Sequence, residues 1–385
     1  PGRAPGDPGS GPGGPLRGGG WSMKTARGGP AGGGSGDPGS PTVWLRGIGI
    51  HVPATTRDTA WLAERTGIPE DVLREKFGLR QIHKAGPDEH VSTMGAAAAR
   101  AALDDAGLTA RDIDVLVYCG SEYKDHIVWS CAARIQHLIG ADRAWATEVY
   151  SLCSGGVVGL KVVRDMLRSD PRLDRALLVA ASKESELIDY GNLRSRFMFS
   201  FGDGAAACVL ERGSPEEFRC ESRGKGRLLE AAVLTDGSFA LDVIVPAGGS
   251  VRPASRETVA AGLHTLDVPD PAGMKERLDR LSRRNFFRVI RESLERSGLD
   301  VRDIDFLALV HMKRSMHEGV LAGLGLTPDN SFYLEDYGHV QACDQLIALH
   351  EGRRRGLLKE GDVAVLAAAG TGYTWAALTL VWGEG

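Results

Sequence analysis

Two stretches of this chain carry the same pattern: GLTARDIDVLVY at 107–118 and GLDVRDIDFLAL at 298–309. Each has a glycine fit to end a helix, the same RDID turn, and then an apolar strand. Two further pairs follow in the same order. A strand ending near Tyr150 leads into Cys153 and a helix, and a strand ending near Tyr337 leads into His339 and a helix. RALLVAAS at 175–182 corresponds to DVAVLAAA at 362–369, with a glycine-rich hairpin after both. A separation of about 190 residues is far too long for a stacked-repeat array. The chain is therefore expected to consist of two duplicated α/β halves, 42–215 and 216–385. The preceding segment, 1–41, is dominated by Gly, Pro and Ser, buries too little apolar surface to offset chain entropy, and is expected to be disordered. Met23 is a candidate start.

Apolar strands are expected at 43–50, 114–118, 144–150, 176–181, 205–211, 306–310, 333–337 and 362–368. Helices are expected at 92–106, with Ser92 as N-cap, at 127–139, and after Cys153 and His339. Strands alternating with helices point to α/β layers rather than a β-sandwich. A net charge of -4 with no basic stripe argues against nucleic acid, and Arg353-Arg354-Arg355 reads as a solvated helix face. No apolar run reaches the roughly 18 residues of a membrane span. The six cysteines (119, 131, 153, 208, 220, 343) show neither CxxC pairs nor a disulfide pattern, as expected of free thiols in a reducing, cytoplasmic setting.

In YSLCSGGVVGL (150–160) a strand ends, small residues permit a tight turn, and an apolar helix begins. That places Cys153 at a helix N-terminus, where unpaired N–H groups favour thiolate and can hold an oxyanion; the alternative is a small core hydrophobe. A thiolate nucleophile needs a proton acceptor and donor, usually His. Of ten histidines, His311 and His339 sit at strand ends that a duplicated α/β fold gathers in one crevice with Cys153. Zinc is disfavoured, because His311 and His317 do not share a helical face and no HExxH occurs. GDGAAA at 202–207 reads as a hairpin entry rather than a phosphate loop. GTGYTW at 370–375 offers backbone N–H groups for a second oxyanion donor or is simply a turn.

With VSTMG at 91–95 before an Ala-rich helix, GDGAAA and GTGYTW, the sequence from residue 43 to 385 resembles ketoacyl-ACP synthase III. The resemblance implies a thiolase-like five-layered αβαβα fold, usually a homodimer, with no bound cofactor and acyl thioesters of coenzyme A or acyl carrier protein as substrates. It implies Cys153 as nucleophile, His311 and His339 as its catalytic partners, and the backbone N–H groups of Cys153 and Thr371 as oxyanion hole. The reaction would be Claisen condensation of acyl-Cys153 with a malonyl-type thioester, in fatty acid, polyketide or secondary metabolism.

The chain departs from the family pattern at several points. His339 stands where the family has Asn. Arg314 replaces the Asn of an HQAN-like segment, and Val72 and Lys76 replace the Trp and Arg that clamp coenzyme A. Lys313 and Arg314 are candidates for a phosphopantetheine phosphate or a carrier protein. Trp129 falls where the family borrows acyl-pocket residues across a dimer interface. The departures keep two alternatives open: acyl transfer to an alcohol or amine, and a non-catalytic ketosynthase partner. A hydroxymethylglutaryl-CoA synthase relative would need a Glu upstream of its cysteine, for which Glu122 is the candidate.

Overall fold

The computed structural model describes residues 41–214, 218 and 225–383; segment 1–40, the junction expected at 215/216, and Cys220 lie outside them. The strands are β1 (Thr42–His51), β2 (Thr56–Asp58), β3 (Gln81–His83), β4 (Val115–Tyr118), β5 (Trp145–Glu148), β6 (Arg175–Ser182), β7 (Gly204–Gly213), β8 (Gly226–Thr235), β9 (Phe306–Leu309), β10 (Val363–Gly370) and β11 (Thr374–Trp382). The helices are α1 (Thr59–Thr66), α2 (Glu70–Glu75), α3 (Val91–Ala106), α4 (Cys131–Ile139), α5 (Gly155–Ser169), α6 (Arg256–Ala260), α7 (Pro271–Arg296), α8 (Arg314–Gly323) and α9 (Asp344–Arg354).

Nine strands run in the order β5-β4-β6-β7-β1-β8-β11-β10-β9, the first five from one half and the last four from the other. The two groups meet only through β1 and β8, at Val43–Leu228, Trp44–Arg227 and Leu45–Gly226. This narrow seam lets the ribbon fold double. α5 and α9 fill the space between the sheets: α5 packs on β6 and β11, α9 on β9 and β1. α3 and α4 cover the outer face of the first sheet, and α7 covers that of the second. The result is the expected five-layered αβαβα, thiolase-like arrangement. Every residue of β4 (VLVY) and β9 (FLAL) is buried, as a strand covered by helices on both faces requires. Among the described residues no helix is long and apolar enough to cross a membrane.

Four local expectations change. Residues 333–337 are not a strand but a loop ending in a turn, with the Tyr337 and Gly338 amides both donating to the Leu334 carbonyl. The carbonyls on that edge of β9 are taken by side chains instead: Asn330 Nδ2 donates to Asp305 (2.9 Å) and the Ser331 hydroxyl to Leu307 (2.7 Å). Helix 127–139 begins only at Cys131, where the Ser130 hydroxyl caps it by accepting from the Ala133 amide, and Val128 before it adopts φ 51°. Ser92 lies inside α3, whose N-cap is His90; the Ser92 amide and hydroxyl both donate to Asp125. Strand 144–150 shortens to β5.

The duplication is visible at the turns that open α5 and α9. Leu152 (φ 49°) and Gln341 (φ 52°) occupy equivalent 3₁₀ turns, Leu152–Ser154 and Gln341–Cys343. The counterpart of Cys153 is thus Ala342, three residues beyond the expected His339. The turns pack back to back, for a Cβ on Gly156 would lie 2.2 Å from the Ala342 carbonyl oxygen. A second close approach holds His339: its amide donates to the Ser200 carbonyl (2.8 Å), and the Gly202 amide donates to the His339 carbonyl (3.0 Å). A Cβ on Gly338, where φ is 66°, would lie 2.2 Å from the Ser200 oxygen, and one on Gly202 2.3 Å from the Tyr337 oxygen. Gly338→Ala should therefore destabilise the protein by about 3 kcal/mol, combining a left-handed backbone with overpacking. Chemical denaturation measures the loss.

Candidate active site

Cys153 sits in the 3₁₀ turn ahead of α5, 6% exposed. His311 follows β9 and His339 follows the turn at 335–337; each is 7% exposed. All three, with Thr371 from the β10–β11 hairpin, line one cavity of about 550 Å³. Its walls are largely apolar (Phe77, Phe197, Phe201, Phe286, Met312 and Met316 among them), and Asp279, Arg283 and Lys313 supply charge. A mostly apolar cleft with a few convergent polar groups, here a thiol and two imidazoles, is the usual form of a small-molecule site. Gly370 brings the hairpin against the nucleophile's turn, since a Cβ there would lie 2.8 Å from the Ser151 oxygen and 2.9 Å from the Ser154 amide.

The residue that organises the site is one the sequence reading did not single out. Asp344, the first residue of α9 and fully buried, accepts three hydrogen bonds: from the His311 amide (2.7 Å), from the Val340 amide (2.7 Å) and from His339 Nδ1 (2.6 Å). With Nδ1 held by the carboxylate, Nε2 is the His339 nitrogen left to serve Cys153, which lines the same cavity. Burial disfavours the imidazolium, but the Asp344 carboxylate and the Cys153 sulfur outweigh it, so the His339 pKa stands well above the ordinary imidazole value. Nothing but an Asp at a helix start signals this role in sequence, and such residues are common first-turn acids.

His311 behaves oppositely. Burial pushes its pKa down to about 4; Asp344 opposes the shift and charged His339 adds to it. Among the described residues neither ring nitrogen has a hydrogen-bond partner of ordinary geometry, so a neutral imidazole with one donor and one acceptor nitrogen stands on the cavity wall. Behind it, the Tyr333 hydroxyl donates to the carbonyls of Met312 (2.8 Å) and Phe77 (3.2 Å). His317 packs edge-on against that ring, its pKa pushed down to about 3 by burial.

The other candidates lie apart. Lys313 is exposed and lines the cavity. Arg314 does not; it pairs with Glu335 (2.9 Å) and lies over the Tyr333 ring at 4.5 Å. Trp129, half-buried, lines a separate hollow with His90, Asp125 and His126. Glu122 pairs with Lys124 at 3.8 Å and is not among the residues lining the cavity. Val72 and Lys76 belong to the α2 region, from which only Phe77 reaches the cavity wall.

The opposed histidines set a pH dependence. His311 and His317 take up protons on unfolding, so they erode stability as pH falls below about 6.5, His311 by roughly 3 kcal/mol once its folded value near 4 is passed. His339 is raised, so its contribution is full below about 6.5 and is lost as pH rises through its folded value. Denaturation between pH 4 and 9 should give a stability maximum near neutrality. His317→Phe should flatten the acid limb and Asp344→Asn the alkaline one.

Comparison with known proteins agrees with this architecture. The family model for 3-oxoacyl-[acyl-carrier-protein] synthase III matches residues 147–226, and that for its C-terminal part matches 294–382. The beta-ketoacyl-[acyl-carrier-protein] synthase III of Chlamydia caviae is 30% identical over 345 residues, covering 89% of this chain and 97% of its own. The 3-oxoacyl-(acyl carrier protein) synthase III of Pseudomonas aeruginosa superposes with a TM-score of 0.75 at 26% identity, covering 89% of this chain and 98% of its own. A structure of ChlB3, named as an acyltransferase, gives 0.71 at 25% identity over 89% and 98% of the two chains. The chain belongs to the ketoacyl-ACP synthase III family of condensing enzymes.

Proposed function

We propose that this condensing enzyme works through an acyl-Cys153 intermediate, with His311 and His339 as its acid–base pair and the backbone N–H groups of Cys153 and Thr371 as oxyanion hole. The observation that carries the reading is the convergence of all four residues on one cavity, with His339 tethered to Asp344.

Sγ of Cys153 attacks the donor's thioester carbonyl, the oxyanion forms between the two amides, and the C–S bond to the donor breaks. The leaving thiol takes the His339 proton, so the acyl-enzyme holds a neutral imidazole. A malonyl-type thioester then loses carbon dioxide, and the C–C bonding electrons become an enolate whose oxygen accepts from His311. The enolate carbon attacks acyl-Cys153, the new C–C bond forms, the thiolate departs, and His339 takes up a proton from solvent to restore the resting pair. The cycle calls for no bound cofactor.

Lys313 and Arg283 on the cavity wall, which form no ion pair among the described residues, suit a phosphopantetheine phosphate. With Val72 and Lys76 in place of an aromatic clamp, a carrier protein is the better donor than free coenzyme A. A homodimer fits the free edge of β5, where half-exposed Trp145 and exposed Ile127 and Val128 cluster in the neighbouring chain segments. A cytoplasmic setting suits a catalytic free thiol.

The Asp344 tether favours one second reading, acyl transfer to an alcohol or amine. Once the leaving thiol has taken its proton, His339 keeps Nδ1–H on the carboxylate and presents a basic Nε2, as a general base for a hydroxyl requires. Retention of the thiol and both imidazoles weighs against a non-catalytic partner.

Intact-mass spectrometry after exposure to acyl-CoA and acyl-carrier donors should show an acyl adduct that Cys153→Ala abolishes. With malonyl-carrier protein the loaded enzyme should release carbon dioxide and a ketone. His339→Asn should retain part of that activity, since His311 still donates to the enolate. Should the product instead be an ester formed without carbon dioxide, and His339→Asn lose at least a hundredfold, the second reading replaces the first.

A further inference from the structure

We infer that Glu184, a residue of the first half outside the cavity lining, is a positioning residue that holds the turn that follows His339 in shape. The inference rests on the assignment of His339 above. Glu184 is 7% exposed and follows β6. Its Oε1 accepts from the Ser121 hydroxyl at 2.6 Å and, across the interface of the halves, from Gln341 Nε2 at 2.7 Å.

Gln341 needs such a hold. At φ 52° it is one of three described non-glycine residues in the left-handed region, with Val128 on the surface and Leu152 beside the nucleophile. A side chain tolerates that conformation only where its surroundings over-determine it. Gln341 lies within the loop that Asp344 closes, because Asp344 Oδ1 accepts from the amide of Val340, the residue before it. Relaxation of Gln341 to negative φ would rotate that peptide and turn the carboxylate away from His339 Nδ1 and the His311 amide. The single tether from Glu184 to the Gln341 side chain opposes this.

The tether does not require a charged carboxyl group, since a neutral carbonyl oxygen accepts as well. Burial raises the Glu184 pKa against the opposing effects of the Ser121 hydrogen bond and the charge on His339, and both groups that donate to it are neutral. A glutamine at 184 keeps the accepting oxygen; an alanine does not. At 341 a glycine would adopt the left-handed backbone without a side chain to restrain.

The test is the rate of Cys153 alkylation by iodoacetamide in the full chain, as the ratio of rates at pH 6.5 and pH 9, since an aligned imidazolium speeds alkylation of a neighbouring thiol most at the lower pH. Glu184→Gln and Gln341→Gly should match wild type. Glu184→Ala should lower the ratio about tenfold, one unit of ionisation equilibrium, with the rate at pH 9 unchanged. The double variant Glu184→Ala/Gln341→Gly should recover the wild-type ratio, because the strain the tether opposes is gone. An unchanged ratio in Glu184→Ala, a lowered one in Glu184→Gln, or no recovery in the double variant overturns the inference. If Glu184→Ala alone does not fold, the double variant and Glu184→Gln decide it. Asp344→Asn separates the two levels: if it lowers the ratio and Glu184→Ala does not, only the role of Glu184 fails. If neither lowers it, the reading of the site fails.

Discussion

One buried carboxylate sets the geometry of this active site. Asp344 gathers the His311 amide, the Val340 amide and the His339 ring onto two oxygens, so the strand carrying one imidazole and the turn carrying the other meet at a single point. A buried acid is costly unless its lone pairs are filled; here three donors fill them, and one is a ring whose positive charge the acid itself sustains. The same contact assigns the ring's tautomer, so electrostatic balance and orientation are one constraint.

That constraint gives two chemically similar side chains different states. His339 is held charged by a carboxylate on one side and sulfur on the other, whereas His311, equally buried but contacting the acid only through its main chain, stays neutral. Environments that push paired groups apart are how one site supplies both a proton and a neutral donor. An amide side chain at position 339 could supply only the second.

The layers were legible because their signals are local. β4 and β9 follow identical RDID turns, and continuous apolar runs can only be covered strands. The Cys153 turn could be read from strand, small residues and apolar helix in succession. What escaped depends on contacts remote in sequence. Asp344 looks like any first-turn acid until two loops close over it. Arg314 looks free until Glu335 and Tyr333 claim it. Residues 333–337 have the composition of a strand, but side chains of Asn330 and Ser331 occupy the edge they would have paired with. The glycines at 202 and 338 read as turn formers, although their larger role is to let two backbones touch and fix His339.

The paired turns at Leu152 and Gln341 also bear on ancestry. A duplication makes two nucleophile positions at once, yet this fold has room for a single reactive centre. At the second position Ala342 is packing surface, its methyl group and carbonyl lying where any side chain on Gly155 or Gly156 would have to go. The turn that carries Ala342 is the floor on which the Cys153 turn stands, so the asymmetry of the two repeats is written into the contact between them.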